Sequence, residues 1–500
     1  MTVDSTMDNE RTPLLESSGH DGSVASNSPE TCSPVRKQPL SKPFPWRAVI
    51  SICLLAAVQP IGFELIFPFV NQMIVENGIV QDPERVGFYS GVIESLFSLM
   101  SFVAIMPCSI ASDHLGRKPI VLIGTAGLAI SMIFFGMSKT YGAMIATRCI
   151  GGMLGGTYSA LKVMLAEVTD KSQAAVAFGG FTIAYRMGQI VGQPIGGVTS
   201  HPERQLSLFD TPFWNKYPFA LPCFISAAFA IVAVFLGYFF TEETLASKTS
   251  KRASSTSRSL AVRSSSTDNQ DARNDKQGWR RYFDRSMYTP HLLSVLICTI
   301  MMCFTSEILF AVYPLFAFTP ISSGGLGLSE AQIGVHMATR SLNNVLVMML
   351  YTPIHNRLGA VSTMKLAMVF WPISAAFFPV LNVLARQGAV GTLGFNILVG
   401  LFFTAWSFAG ICWKISSYSE RKAKLELLQS ISQMMSSLCL GIAPAFITSL
   451  FAFSVKSQIA NGNLVWIVTF GFASLGTLQV LTLKEPTHDW REDSKNVADD

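Results

Sequence analysis

Charge is what this 500-residue chain has least of. Asp, Glu, Lys and Arg together make up 14% of it, where a soluble protein carries roughly 25%. A soluble enzyme of several domains is thereby excluded. The formal net charge of +5 is small for this length and does not indicate nucleic acid. The cysteines show no pairing or metal-ligand spacing. Cys53, Cys108, Cys149, Cys223, Cys298, Cys303, Cys412 and Cys439 sit in apolar runs and Cys32 in a polar stretch. They read as reduced, small apolar residues, which excludes a disulfide scaffold and a metal centre. The polar N-terminus has no apolar h-region, so no cleavable signal peptide is expected. No Gly-rich phosphate loop, nucleophile elbow, paired-His motif or cofactor fingerprint occurs. The chain therefore reads as no enzyme, with no cofactor and no direct drive by ATP.

What is present is apolar length. AVILMFWYC residues make up 50% of the chain, close to the roughly 240 positions that twelve spans of about 20 residues require. Apolar runs predict helices near 47–72, 87–111, 119–137, 141–166, 174–198 and 217–240, then near 289–318, 329–353, 363–385, 390–413, 428–453 and 463–483. Residues 1–45, rich in Ser, Pro, Asp and Glu, read as a disordered tail, and 241–287 as a Ser/Arg/Lys-rich linker. The expected organisation is a six-helix unit over 46–240, the linker over 241–287, a second unit over 288–484 and a tail over 485–500. Lys and Arg counts favour one orientation. Arg117, Lys118, Lys171, Arg357, Lys365, Lys414, Arg421, Lys422 and Lys424 fall in loops on one side, together with the linker. Arg85, Lys139, Arg204, Lys216, Arg386 and Lys456 fall on the other. Both termini and the linker are therefore expected in the cytoplasm.

The two halves repeat at one offset. Glu64 and Glu307, Phe67 and Phe310, Gly91-Val92 and Gly334-Val335, and Asp113-His-Leu-Gly116 and Asn356-Arg357-Leu-Gly359 all share a shift of 307 − 64 = 243. The expected fold is all-α integral membrane: twelve transmembrane helices as two pseudo-symmetric six-helix bundles with a cavity between them.

Three motifs carry a resemblance. Ser109-Ile-Ala-Ser-Asp113-His114-Leu-Gly116-Arg117-Lys118 resembles the loop motif of the major facilitator superfamily, G-x-x-x-D-R/K-x-G-R-R/K, with Ser109 for the first Gly and His114 for the first basic residue. Gly116 permits a sharp turn, Asp113 can cap or pair, and Arg117 and Lys118 are expected to face cytoplasm and headgroups. Asn356, Arg357 and Gly359 are the second-half version. Arg148-Cys-Ile-Gly-Gly152-Met-Leu-Gly-Gly156 places small residues on one helix face. Its Arg either faces a cavity or a carboxylate or snorkels to the surface. Gly188-Gln189-Ile-Val-Gly192-Gln-Pro194-Ile-Gly196-Gly197 looks like the superfamily's antiporter motif with Gln193 inserted, or is a Gly-rich packing helix; Gly441-Ile-Ala-Pro444 is its degenerate counterpart. Phe239-Phe-Thr-Glu242-Glu243-Thr-Leu245 is similar to the stretch that closes the first half of many family members and adds no chemistry. The resemblance covers 47–485. It implies a secondary carrier that moves a small organic solute by alternating access, coupled to protons as in the drug/proton antiporter branch with zinc-induced-facilitator-like and tetracycline-exporter-like members. Proton symport or uniport of a nutrient is the alternative, and a transporter-like receptor a third. A single copy in the bilayer suffices, so a monomer is expected.

Membrane-buried polar residues mark the working site. A carboxyl in hydrocarbon is penalised when ionised, so it can hold a proton at neutral pH and release it when the site opens. Glu64 is the first choice for proton exchange, with Glu307 its mate and Arg148 tuning it. Alternatively, Glu64 is ionised and paired with Arg148 or Arg186 for structure. Glu94 is expected near the outer end and solvated. Arg186, Gln189, His336 and Arg340 join Phe63, Phe67 and Trp406 as cavity residues, with Trp371, Phe403 and Trp413 flanking. His336 suits a proton switch or a structural imidazole.

Glu10-Arg-Thr-Pro-Leu14-Leu15 resembles an acidic dileucine signal, which implies sorting adaptors and a vacuolar or endosomal membrane, with the plasma membrane as the alternative. Replacing Leu14 and Leu15 with Ala is expected to redirect a fluorescently tagged protein. Unchanged localisation would sink the assignment.

Overall fold

The computed structural model describes residues 43–170, 173–205, 207–245, 290–410 and 422–482. The dileucine stretch with Glu10, Leu14 and Leu15, the linker from 246 to 289, Trp413 and the expected tail 485–500 lie outside the described residues. All described structure from Phe44 onward belongs to one compact unit.

The helices are α1 (Trp46–Glu64), α2 (Val70–Glu76), α3 (Val86–Leu115), α4 (Arg117–Gly136), α5 (Tyr141–Gly155), α6 (Tyr158–Val168), α7 (Ala174–Val198) and α8 (Ala220–Phe240) in the first half. The second half has α9 (Pro290–Phe318), α10 (Glu330–Leu358), α11 (Ala360–Arg386), α12 (Leu393–Ala409), α13 (Lys422–Ser457) and α14 (Leu464–Leu481). With α1–α2 and α5–α6 each forming one broken span, these make twelve segments among the described residues. Of these, nine are long and apolar enough to cross a bilayer by length and composition alone. The others are α7, α10 and the 17-residue α12. Two of these three, α7 and α10, carry the polar residues of the interface described below.

The first span is not the continuous helix expected over 47–72. It breaks directly after Glu64. Pro68 has no N–H to return to the Glu64 carbonyl, and a turn over 65–69 takes the place of the helix, with Phe67 N donating to Glu64 O at 3.2 Å. The carboxyl therefore sits at a helix end. The fourth span breaks at Gly156-Thr157, where a Cβ on Gly156 would meet Ala104 of α3 at 3.0 Å.

Within the first half α1 packs on α7 and α8, α4 on α8, and α3 and α4 on α5. Within the second, α9 packs on α13, α11 on α12 and α14, and α10 on α12. Large side chains such as Phe134, Phe235, Phe239, Leu475 and Leu478 are exposed on outward helix faces, as they must be where lipid rather than water is the solvent.

The halves meet along two pseudo-symmetric seams, α3 on α13 and α7 on α10. The repeat mates Gly91 and Gly334 occupy equivalent places in them. A Cβ on Gly91 would strike the Thr448 hydroxyl and lie 2.9 Å from Pro444 O. One on Gly334 would lie 2.7 Å from Gln193 O and 3.2 Å from Pro194 Cα. Each seam thus sets a glycine against the proline of the facing helix, so the backbones approach closely. Hydrogen bonds reinforce them: Ala445 N donates to Ser95 Oγ (2.9 Å), and Ser323 Oγ donates to Glu84 Oε1 (3.0 Å). Beyond Gly197, whose Cβ would meet the Glu330 carbonyl, the buried His201 lies 3.7 Å from Glu330, 3.2 Å from Glu76 and 3.0 Å from Glu203. These contacts run from mid-span to the end that carries loops 199–219 and 319–329. On the opposite half of α7, Gly179 and Gly180 face open space. The molecule is closed at the first end, away from the Asp113–Lys118 loop.

Gly91→Val and Gly334→Val are therefore expected to hold this end ajar. A cysteine placed at buried Ser95 should react faster with a membrane-impermeant maleimide in either variant. An unchanged labelling rate would contradict the role of the glycine seams.

Candidate functional site

Glu64 stands at the centre of the interface, 3% exposed. Both of its carboxylate oxygens are held by α7. Gln189 Nε2 donates to Oε1, and Gln193 Nε2 donates to Oε2 at 2.7 Å. The two glutamines are four residues apart and so lie on one helix face. Gln193 Oε1 in turn accepts from Ser341 Oγ of α10 at 3.3 Å, and Gln189 Oε1 accepts from Arg186 Nη1 at 2.7 Å. Glu64 is thus connected to the other half through a single amide side chain.

Four charges converge here. Glu64 and Glu307, the repeat mates, interact through space with each other and with Arg186 and Arg340. Arg340 is 8% exposed and its guanidinium lies over two rings, Phe310 at 4.7 Å and Trp406 at 5.0 Å. Its Nη2 reaches Ser341 Oγ at 3.5 Å and its Nε has no partner. Phe67 packs edge-on against its repeat mate Phe310 at 5.0 Å, and Phe63 against Phe67 at 5.4 Å. Gln189, Arg186 and Arg340 thus face Glu64, while Phe67 and Trp406 join the cluster through Phe310 and Arg340 and Phe63 through Phe67.

Other expectations are corrected. Arg148 does not meet Glu64 and does not snorkel. It is 1% exposed, donates to Gly62 O at 3.4 Å and stacks on Phe135 (4.6 Å) and Phe97 (5.4 Å). The carboxylate facing it is Glu94, which is buried rather than solvated, with Oε2 unpartnered. The guanidiniums that face Glu64 are instead those of Arg340 and Arg186. His336 hydrogen-bonds Tyr313 Oη through Nδ1 at 2.7 Å and borders a recess between α10 and α12. Trp371 is fully buried in α11, in the packed core of the second half, and Phe403 packs against Tyr313.

The glycine motifs lie at helix contacts. Gly152 and Gly156 receive α3 at Phe97 and Ala104; Gly188, Gly192 and Gly196 receive α1 at Ala57, Ile61 and Leu65. Gly197 and Pro194 face α10. In the loop motif, Gly116 adopts φ +105° and its repeat mate Gly359 φ +77°, backbone that other residues avoid. Arg117 and Lys118 are both engaged within the first half. Arg117, 11% exposed, pairs with Asp113 (2.7 Å) and Glu167 (3.4 Å). Lys118 Nζ donates to Tyr238 O at 2.6 Å. Glu243, given no chemistry above, accepts from the Arg117 and Lys118 backbone N–H groups at 2.9 and 3.3 Å. It is a carboxylate at the N-terminus of α4, where the helix dipole favours it. Asn356 and Arg357 occupy the last turn of α10.

Glu94 and Arg148 are opposite charges buried facing one another in the first half, and removing one leaves the other uncompensated. Glu94→Gln should therefore lower thermal stability more than Glu94→Gln combined with Arg148→Gln. Additive losses in the double variant would show that the two do not act as a pair.

The profile of the Major Facilitator Superfamily matches residues 52–324. The chain is 29% identical to the efflux pump azaK of Aspergillus niger over 474 residues, 92% of each protein. It is 23% identical to the protein zinc induced facilitator-like 1 of Arabidopsis thaliana, over 91% of this chain and 94% of the relative. The crystal structure of the nucleoside transporter NupG superposes with a TM-score of 0.61 at 14% identity, covering 87% of this chain and 98% of that one. The family profile spans more than half of the sequence and the folds agree along nearly all of it: the chain belongs to the Major Facilitator Superfamily and is a multi-pass secondary transporter.

Proposed function

We propose that the chain is a proton-coupled carrier of small organic solutes, exporting them across its membrane by alternating access, with Glu64 as the proton site. The observation that carries this is the Ser341–Gln193–Glu64 connection. An ionised carboxylate only accepts hydrogen bonds, whereas a protonated one must also donate. A proton carried on Glu64 Oε2 has the Gln193 amide as its neighbour, and donating to it turns that amide to present its carbonyl in place of its N–H. Through Gln193 that reversal reaches Ser341 and α10. Loading of the proton is thus felt at the seam between the halves, the contact that must part for access to alternate.

Proton antiport is supported by the Gly/Pro pattern of α7 and by the efflux pump among the relatives. It requires solute and proton to exclude one another at Glu64. A second reading, proton symport, is favoured by the two guanidiniums that face Glu64, because protonating the carboxyl releases their charge for a solute. The membrane is proposed to be vacuolar or endosomal, with both termini cytoplasmic. In that orientation the closed end is the non-cytoplasmic one.

The test uses the full chain in liposomes under an imposed pH gradient, with internal pH followed as organic anions, cations and neutral solutes are added. Wild type is expected to move protons when its solute is supplied, and Glu64→Gln to show no solute-triggered proton movement. The sign of the signal separates antiport from symport. Solute flux without a proton signal, equal in wild type and variant, would contradict the proposal.

A further inference from the structure

We infer that the solute carries a negative charge, as an organic carboxylate or similar oxyanion, and docks between Arg186 of α7 and Arg340 of α10. The inference rests on reading the Glu64 interface as the solute site, and adds the charge class of what enters it.

The first ground is the state of the two guanidiniums. Arg340 is nine-tenths buried, yet its Nε has no hydrogen-bond partner and its only polar neighbour in reach is the hydroxyl of Ser341 at 3.5 Å. Arg186 spends one N–H on the carbonyl oxygen of Gln189 and keeps the rest of its fork. The carboxylates of the cluster do not consume these donors. Both oxygens of Glu64 are taken by amides, and Glu307 acts on the arginines through space. A buried donor without a partner is expensive, and a planar guanidinium is built to pair two parallel N–H groups with an oxyanion.

The second ground is shape. Phe310 and Trp406 both lie against the Arg340 guanidinium. They restrict how its fork can turn and offer apolar walls to the carbon skeleton behind the anionic group. The third is charge balance. Two carboxylates and two guanidiniums sum to zero. Once Glu64 takes a proton the cluster is +1, and an anion restores neutrality where a cation would face two guanidiniums. Proton and anion then favour each other's binding, which commits this inference to the symport reading of the Glu64 site and not to the antiport one. The titratable and charged groups facing Glu64 are Arg340 from α10, Arg186 and Tyr185 from α7, and Glu307 from α9; Tyr158 of α6 faces Arg186.

The test compares three probes of one shape and different charge, benzoate, benzamide and benzamidine, by thermal stabilisation of the purified full chain in detergent. Benzoate is expected to bind about tenfold or more tightly than either of the others, and more tightly at pH 6 than at pH 8. Glu64→Gln should hold the tighter value at both pH values. Arg340→Gln should abolish the preference and Arg340→Lys retain part of it. Equal stabilisation by the three probes, a preference for benzamidine, or no response to benzoate up to its solubility overturns the inference, whatever the variants do. A benzoate preference that survives both Arg186→Gln and Arg340→Gln overturns the assignment to these residues. Failure here with Glu64-dependent proton movement intact removes the anion and leaves the proton coupling. Loss of that movement with benzoate binding intact does the reverse.

Discussion

Burying a carboxylate and a guanidinium in a membrane interior is unfavourable unless each is compensated on the spot, and that constraint organises this molecule. Glu64 is held at a helix end by two amides of one neighbouring helix, with arginines from both halves facing it. Nearly every irregularity nearby serves the arrangement. The first span breaks after Glu64 because Pro68 withholds a hydrogen bond, and α7 approaches α1 closely enough for Gln189 and Gln193 to reach it because Gly188, Gly192 and Gly196 present no side chain. A second set of buried charges, Glu94 and Arg148, lies wholly within the first half, with Arg148 over the rings of Phe97 and Phe135.

The internal repeat explains how the halves can both adhere and part. Gly91 and Gly334, equivalent in the two halves, press against Pro444 and Pro194. Such seams combine close backbone packing and a few hydrogen bonds with a buried apolar cluster that runs across both halves. At the other end the first half is fastened to itself. Arg117 joins Asp113 and Glu167, and Glu243 caps α4 across 126 residues of sequence. That end can move as a rigid piece while the seams open and close.

Much of this was legible in the sequence, for reasons that can be named. Hydrophobic runs of spanning length announce membrane helices whatever their partners, and a shift of 243 shared by Glu64, Phe67 and Gly91 marks a repeat. A lone Glu in such a run draws notice because hydrocarbon tolerates few of them. Its partners did not. Gln193 reads as an intrusion into a Gly/Pro motif, yet it is the donor to Glu64. Glu94 lies near a span end by count, but the helix begins at Val86 and carries it two turns inward. Glu243 meets Gly116 only through folding, and the aromatic wall is hidden by 36 Phe residues, among which Phe310 differs only by what it touches. Trp371 is the converse: a large aromatic that draws notice in sequence and serves only packing.

The central claim is that the protonation state of Glu64 is read by the seam between the halves. It is tested most directly by the distance between spin labels at Gln81 and Ser322, exposed positions on opposite halves at the closed end, in lipid nanodiscs with the native cysteines replaced. The account predicts that the distance distribution differs between pH 6 and pH 8, and that Glu64→Gln shows the pH 6 distribution at both. A variant whose distribution shifts with pH just as the wild type does would contradict it.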